Sequence, residues 1–208
     1  LPPGLAAQLL ARGVALWNLY GPTETTIWSS CARIVAADDI SAGRPIDNTQ
    51  VHILDRALRP LPDGLPGEIC IGGAGVAQGY HRRPELTASR FVANPFSRQP
   101  AARLYRTGDR GRRLADGRIQ VLGRFDEQLK LRGFRIEPAE VEAALARCGG
   151  VAQCVAGLRN TAGGEPALVA WVVPAAGASL SAAALRSTLR GALPEYMVPT
   201  QFVFIERL

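Results

Sequence analysis

Residues 18–30, NLYGPTETTIWSS, gather several groups able to do chemistry. Tyr20 offers a flat aromatic face, Thr23 a hydroxyl suited to phosphate, and Glu24 a carboxylate suited to a hard cation. Gly21-Pro22 forces a turn, which puts Thr23 and Glu24 at a loop tip. Such a set suits a nucleotide with Mg²⁺. It equally suits a helix start with Thr23 as its cap. A second set lies in 104–142. Asp109 follows a Thr-Gly turn at the end of a strand, where a carboxylate can accept both hydroxyls of a ribose. Arg124 ends the next strand and can meet a ribose or phosphate oxygen. The competing readings are an Asx contact that stabilises the turn at Asp109 and a surface ion pair at Arg124 worth under about 1 kcal/mol.

Elements that can position these groups follow from the patterning. The first stretch, to about residue 125, is rich in Gly and Pro and reads as short strands joined by turns. Residues 51–55 and 67–73 are strand-like, separated by the turn signal Pro60-Leu61-Pro62-Asp63-Gly64. Residues 85–92 suit a short helix after Pro84. Residues 104–107 and 118–124 suit strands, with Asp116-Gly117 as the turn before the second. The character changes near Asp126. Leu129 and Leu131 alternate with Lys130 and Arg132, so a strand there buries the leucines and turns both cations away. Pro138 suits the first turn of a helix, Glu140 and Glu142 its positive end, and Gly149 its stop. Val141, Ala144, Leu145 and Cys148 form one apolar stripe on that helix. Strands at VAQCVAGLR and ALVAWVV, a turn at Ala162-Gly163-Gly164, a helix with Leu185 and Leu189 on one face, and a closing strand QFVFIERL complete a small α+β domain.

Composition excludes several classes. The chain has 208 residues, 47% hydrophobic and 20% charged, which is globular rather than disordered. No run approaches the ~18 apolar residues of a membrane span. The net charge of +6 invites a nucleic-acid reading, but the arginines are scattered and lack aromatic interleaving, so a solvated surface is expected and no nucleic-acid or membrane partner. Cys31, Cys70, Cys148 and Cys154 contain no C-x-x-C, which fits buried free thiols in a reducing cytoplasm. GGAGVAQG at 72–79 mimics a dinucleotide fingerprint, but Tyr80-His81-Arg82-Arg83-Pro84 cannot open the helix such a site needs. His52 and His81 lack a nearby nucleophile or ligand set and read as structural. Trp171, within an apolar strand, reads as core; Trp28 reads as core or as pocket lining. The only methionine is Met197, so the chain is expected to be a piece of a longer polypeptide.

Five motifs occur in order: N-x-Y-G-P-T-E, G-E-x-x-I-x-G-x-G-V-x-x-G-Y, Y-R-T-G-D, G-R-x-D-x-Q-x-K-x-R-G-x-R-I-E-x-x-E-V-E and L-P-x-Y-M-V-P. Together they resemble the adenylation domain of nonribosomal peptide synthetases, within the adenylate-forming superfamily. The likeness covers nearly the whole chain. It implies an α/β multi-subdomain enzyme of the acid-thiol ligase type. Residues 1–125 would be the end of the large subdomain, with β-barrel-like strands, and 126–208 a small mobile α+β subdomain.

The resemblance also implies roles. Tyr20 would stack on adenine, with Asn18 near its amino edge and Gly21 among the nucleotide-binding positions. Thr23 would touch the α-phosphate and Glu24 hold Mg²⁺. Asp109 would bind the ribose hydroxyls, with Arg124 beside them. Leu19, Ile27 and Trp28 match positions that line the amino-acid pocket, Asp126 matches a hinge, and Gly133 matches a segment lining the tunnel of a carrier's phosphopantetheine arm. The implied cofactors are ATP and Mg²⁺. The implied partners are an amino acid and a peptidyl carrier protein, with a condensation domain and an MbtH-like protein as further ones. Residues 85–96 resemble the region that docks the MbtH-like helper, although a plain surface helix and turn explains them as well. The rivals are an acyl- or aryl-CoA ligase of the same superfamily and a non-catalytic module that docks a carrier.

Departures accompany the likeness. The family's phosphate-binding loop and the aspartate that holds the substrate's amino group lie upstream of the tyrosine motif, and its catalytic lysine follows L-P-x-Y-M-V-P. The isolated chain is therefore expected not to adenylate at a useful rate. Val121 stands where many relatives place an aromatic against adenine, which would weaken its grip by roughly 0.5–1.5 kcal/mol.

Overall fold

The computed structural model describes residues 1–126, 128–131, 133–161 and 163–208, apart from the side chain of Lys130. They divide into two compact units, Leu1–Asp126 and Glu127–Leu208. No described helix is long and apolar enough to cross a membrane.

The first unit opens with helix α1 (Pro3–Leu10) and then runs as antiparallel strands. β1 (Leu16–Tyr20), β2 (Ser30–Ile34) and β3 (Arg44–Pro45) form a three-stranded sheet. A second sheet is built from β4 (Thr49–Leu54), β5 (Gly67–Gly73), β6 (Phe91–Ala93), β7 (Arg103–Arg113) and β8 (Ile119–Arg124), in the order β4-β5-β7-β6 with β8 also on β7. Both sheets are open; among the described residues no strands close into the barrel-like ring expected from the resemblance. The central strand β5 is buried on both faces. Ile69 and Ile71 join Val51, Ile53 and Ile119 in one cluster, while Cys70 meets Leu54 and Leu104 on the other side. Backbone bonds from Ala42 to Ile119 and from Ile119 to Gly43 tie the two sheets together.

Local expectations hold in part. The Asp116-Gly117 turn forms with Gly117 at φ +84°, the left-handed conformation that glycine adopts without strain. Helix α2 (Pro84–Arg90) stops short of residue 92, because Phe91 and Val92 pair with β7 instead. β7 is eleven residues long and runs through Asp109. The Thr-Gly pair therefore does not end the strand; it distorts it.

The second unit is a small α+β layer. β9 (Leu129–Leu131) and β10 (Phe134–Ile136) make a hairpin with Gly133 at φ +87°. Leu131 is buried and Leu129 packs on the core, as the alternation required; the opposite half of that expectation rests on Arg132 and the Lys130 side chain, which lie outside the described residues. Helix α3 (Pro138–Ala146) carries Pro138 at its start and buries Val141, Ala144 and Leu145; it stops before the expected Gly149, and Cys148, the last residue of the stripe, is buried just beyond its end. Glu142 does more than complement the helix end, since its Oε1 accepts the Ala156 backbone N–H at 2.9 Å.

β11 (Val151–Asn160) and β12 (Pro166–Pro174) are antiparallel. The turn between them is closed by a bond from the Thr161 N–H to the Glu165 carbonyl; Ala162, assigned to that turn, lies outside the described residues. Helix α4 (Ala182–Arg190) is capped by Ser181 and buries Leu185 and Leu189. It provides the crossover that lets β13 (Gln201–Phe204) lie parallel to β12. Leu168, Ala170 and Val172 point into the core, so Trp171 falls on the other face of the sheet. There it is half-buried beneath the Arg159 guanidinium rather than in the core as expected. All four cysteines are free, with Cys70 and Cys148 buried and Cys31 and Cys154 half-buried.

Candidate nucleotide site

The pairing of β5 with β7 slips at the Thr-Gly-Asp segment. Cys70 pairs with Arg106 and Glu68 with Arg110, so three residues of β7, Thr107 to Asp109, face Ile69 alone. A bulge of this kind takes backbone groups off the ladder and re-aims a side chain. Side chains satisfy those groups here. Thr107 Oγ1 donates to the Ile69 carbonyl at 2.8 Å and accepts the Asp109 N–H at 2.9 Å. The Gly108 N–H donates to Glu68 Oε1 at 3.1 Å. Gly108 lies at φ +73°, and a Cβ there would stand 2.7 Å from Asp126 Oδ2 and 2.9 Å from Arg124 Nη2.

The bulge presents a buried carboxylate. Asp109 is 3% exposed. Tyr20, 89 residues away in sequence, donates its phenolic O–H to Asp109 Oδ2 at 2.6 Å. Arg124 sits directly across β7–β8 from Asp109 and pairs with Oδ1. The same guanidinium donates from Nη2 to Asp126 Oδ2 at 2.9 Å and to the Thr107 carbonyl at 3.1 Å. Arg124 is thus neither a surface ion pair nor a loose cation, and Asp109 is not a simple Asx turn. Burial, then the neighbouring Asp109 charge, push the Tyr20 phenol far up, so it remains a donor across the physiological range.

Tyr20 and Asn18 share one face of β1, and Trp17 and Leu19 the other. Asn18 Nδ2 donates to the Ser41 carbonyl at 2.6 Å. Gly21 is required sterically, since a Cβ would lie 2.5 Å from the Ile27 carbonyl oxygen and 2.7 Å from the Ser29 nitrogen. After it comes a single 3₁₀ turn, Thr23–Thr25. Pro22 takes the cap position, so Thr23 is not the cap; its side chain is exposed.

Glu24 is buried, and Tyr80 donates its O–H to Glu24 Oε1 at 2.7 Å. Burial, then hydrogen bonds to Tyr105 and Glu24, push the Tyr80 phenol up as well. Thr26 and Ile27 both adopt positive φ (62° and 70°), uncommon for β-branched residues and costing of order 1–3 kcal/mol each. Ile27, Trp28 and Leu19 are exposed, which removes the core reading of Trp28.

The structure brings Tyr20, Asp109 and Arg124 together, with partners that were not among the expected site residues. Tyr80 ends the G-V-x-x-G-Y motif, and Tyr105 and Thr107 belong to Y-R-T-G-D; those motifs were the available signal. Asp126, assigned a hinge role, also holds Arg124. Gly133 belongs to the second unit, where its positive φ in the hairpin accounts for it. The 72–79 segment opens no helix at Tyr80, and α2 starts only at Pro84. His52 stacks on Phe96, centroids 4.4 Å apart, in keeping with a structural role.

Among the described residues no group of three or more His, Cys, Asp or Glu gathers to hold a metal. Glu24 could contribute a single carboxylate to Mg²⁺, an ion commonly held through one or two carboxylates with substrate phosphates completing the shell.

Comparison with known proteins gives the family. Residues 1–81 match the family model of the AMP-binding enzyme, and residues 140–208 that of the AMP-binding enzyme C-terminal domain. The dimodular nonribosomal peptide synthase of Bacillus subtilis (strain 168) is 46% identical over 210 residues, covering 100% of this chain and 9% of that protein. Holo-AB3403, a four-domain nonribosomal peptide synthetase bound to AMP and glycine, is 45% identical with a TM-score of 0.57, covering 100% of this chain and 15% of that one. NpsA-ThdA, an artificially fused adenylation–PCP di-domain from Klebsiella oxytoca, is 33% identical with a TM-score of 0.82, covering 97% of this chain and 38% of that one. The chain therefore spans only a small part of the curated relatives it matches. It belongs to the AMP-binding enzyme family, as the C-terminal portion of an AMP-binding domain.

Proposed function

We propose that the chain serves an adenylate-forming ligase that activates an amino acid for nonribosomal peptide synthesis. In the first step a carboxylate oxygen of the amino acid bonds to the α-phosphorus of ATP and pyrophosphate leaves, giving aminoacyl-AMP. In the second, the phosphopantetheine thiol of a carrier protein takes the acyl group and AMP leaves. The relatives that are nonribosomal peptide synthetases, one of them bound to AMP and glycine, support this reading.

The observation that carries it is the convergence of Tyr20 and Arg124 on Asp109. An ionised carboxylate offers about four lone-pair sites. Tyr20 and Arg124 take one on each oxygen, which leaves room for the two vicinal hydroxyls of a ribose. The Tyr20 ring, held by its hydroxyl, is fixed as a face for adenine, with Asn18 on the same side of β1. Thr23 would meet the α-phosphate. Glu24, held by Tyr80, would bind Mg²⁺, which supplies charge neutralisation at the phosphates when bound. Leu19, Ile27 and Trp28 would form one apolar wall of the amino-acid pocket. Asp126 would serve as hinge between the 1–125 and 126–208 portions, and Gly133 would approach the carrier arm.

The finer partners, a condensation domain and an MbtH-like protein at residues 85–96, belong to the same reading. Four free cysteines and an ATP-consuming reaction fit the cytoplasm.

Calorimetric titration of the chain with AMP tests the site. Asp109→Ala should weaken binding by about tenfold or more, since hydrogen bonds to a charged acceptor contribute about 1.5–3 kcal/mol each. Unchanged affinity in a folded Asp109→Ala protein would refute the assignment.

A further inference from the structure

We propose that Glu68 is a positioning residue for Asp109: it holds the bulged peptide of Gly108 and so fixes the carboxylate that meets ribose. The inference rests on the ribose role given to Asp109 above. Glu68 is a carboxylate in the central strand, 9% exposed. Burying such a charge is unfavourable unless it is paired. Each of its oxygens has a separate task. Oε2 accepts from Arg106 Nη2 at 2.7 Å and Nε at 3.0 Å, which locks the side chain. Oε1 accepts the Gly108 N–H, a donor the distorted ladder leaves over.

The Gly108 peptide is a junction for the whole constellation. Its carbonyl accepts the Phe125 N–H at 2.9 Å, next to Asp126. The preceding carbonyl, of Thr107, accepts from Arg124 at 3.1 Å. The following residue is Asp109. A cavity of about 560 Å³ borders Glu68, Arg106, Gly108 and Asp126, so packing does not confine the peptide on that side. Without the Glu68 oxygen the bulge can relax into that space and carry Asp109 with it. Thr107 Oγ1 steadies the other end of the bulge but does not reach the Gly108 N–H.

The test uses the chain itself, titrated with AMP and with 2′,3′-dideoxy-AMP. A ribose role for Asp109 requires that the wild type prefer AMP and that Asp109→Ala abolish the preference. Glu68→Ala should cut the preference by about tenfold, the effect expected from losing a hydrogen bond to a charged group. Glu68→Gln keeps an acceptor for Gly108 and should retain most of it. Glu68→Asp keeps the charge, withdraws the oxygen by one methylene, and should fall between; it also serves if the alanine variant fails to fold. Glu68→Ala added to Asp109→Ala should change nothing further. A general loss of fold would lower the binding-competent fraction for both nucleotides and leave their ratio unmoved. If Asp109→Ala abolishes the preference while Glu68→Ala and Glu68→Asp keep it at the wild-type level, the positioning role is overturned and the ribose reading stands. If the wild type shows no preference, or Asp109→Ala keeps it, the ribose reading falls first and the positioning role with it.

Discussion

Tyr20→Phe removes a single O–H donor and leaves the ring in place. It breaks the bond to Asp109 Oδ2 at 2.6 Å, whose acceptor is almost wholly buried, together with the phenol's contact with Thr107. Hydrogen bonds to charged groups contribute about 1.5–3 kcal/mol. Asp109 keeps Arg124 on its other oxygen, so no isolated charge is left in the sheet, and the cost should fall near 1.5 kcal/mol, at the lower end of that range. That corresponds to about a tenfold shift in the folding equilibrium. Urea denaturation followed by tryptophan fluorescence measures it. Trp17 and Trp28 lie in the first unit and Trp171 in the second, so a Trp171→Phe background confines the signal to the unit that holds Tyr20. AMP affinity should fall in Tyr20→Phe, because the hydroxyl fixes both the ring and the carboxylate, and should fall further in Tyr20→Ala, which also removes the ring. A stability change under about 0.5 kcal/mol, the size of an ordinary surface substitution, would show that the phenol does not hold the carboxylate. A loss above about 4 kcal/mol would show instead that the ring itself had repacked.

Three further outcomes follow from burial. Leu145→Ala, in helix α3 with a fully buried side chain, should destabilise the second unit by about 2–5 kcal/mol, read from Trp171 with Trp17 and Trp28 replaced by Phe. Cys70 is pushed up to about 12 from its usual value near 9, first by burial and then by the Glu68 charge. The folded chain keeps that proton where the unfolded chain releases it, so stability should fall as pH rises between about 9 and 12. The urea midpoint should therefore decline less steeply in Cys70→Ala over that window. Thiol titration at pH 8 should label Cys31 and Cys154 well before Cys70.

Much was legible in the chain because its cues are local. The stripe Val141, Ala144 and Leu145 specified α3 and its buried face through the helical period alone. Pro138 and Asp116-Gly117 marked their boundaries through constraints confined to one or two residues. The ordered motifs picked out Tyr20, Asp109 and Arg124, yet no local rule could say that the first two touch. Their contact depends on how one sheet meets another.

The strand bulge was equally hidden. A register slip leaves the composition of β7 unchanged, and only its pairing with β5 reveals that three residues stand against one. That slip turns Asp109 from a residue beyond a strand's end into a buried acceptor, and it gives Glu68 a task that the Gly67-Glu68 pair does not announce. Trp171 shows the same limit from the other side. Its strand is apolar throughout, but the pleat puts alternate side chains on opposite faces, and the single helix-covered core lies on the face it does not share. Residue types and short-range periods thus settled which groups are available and which elements carry them. The packing of sheets, acting between residues far apart in the chain, decided which of those groups meet.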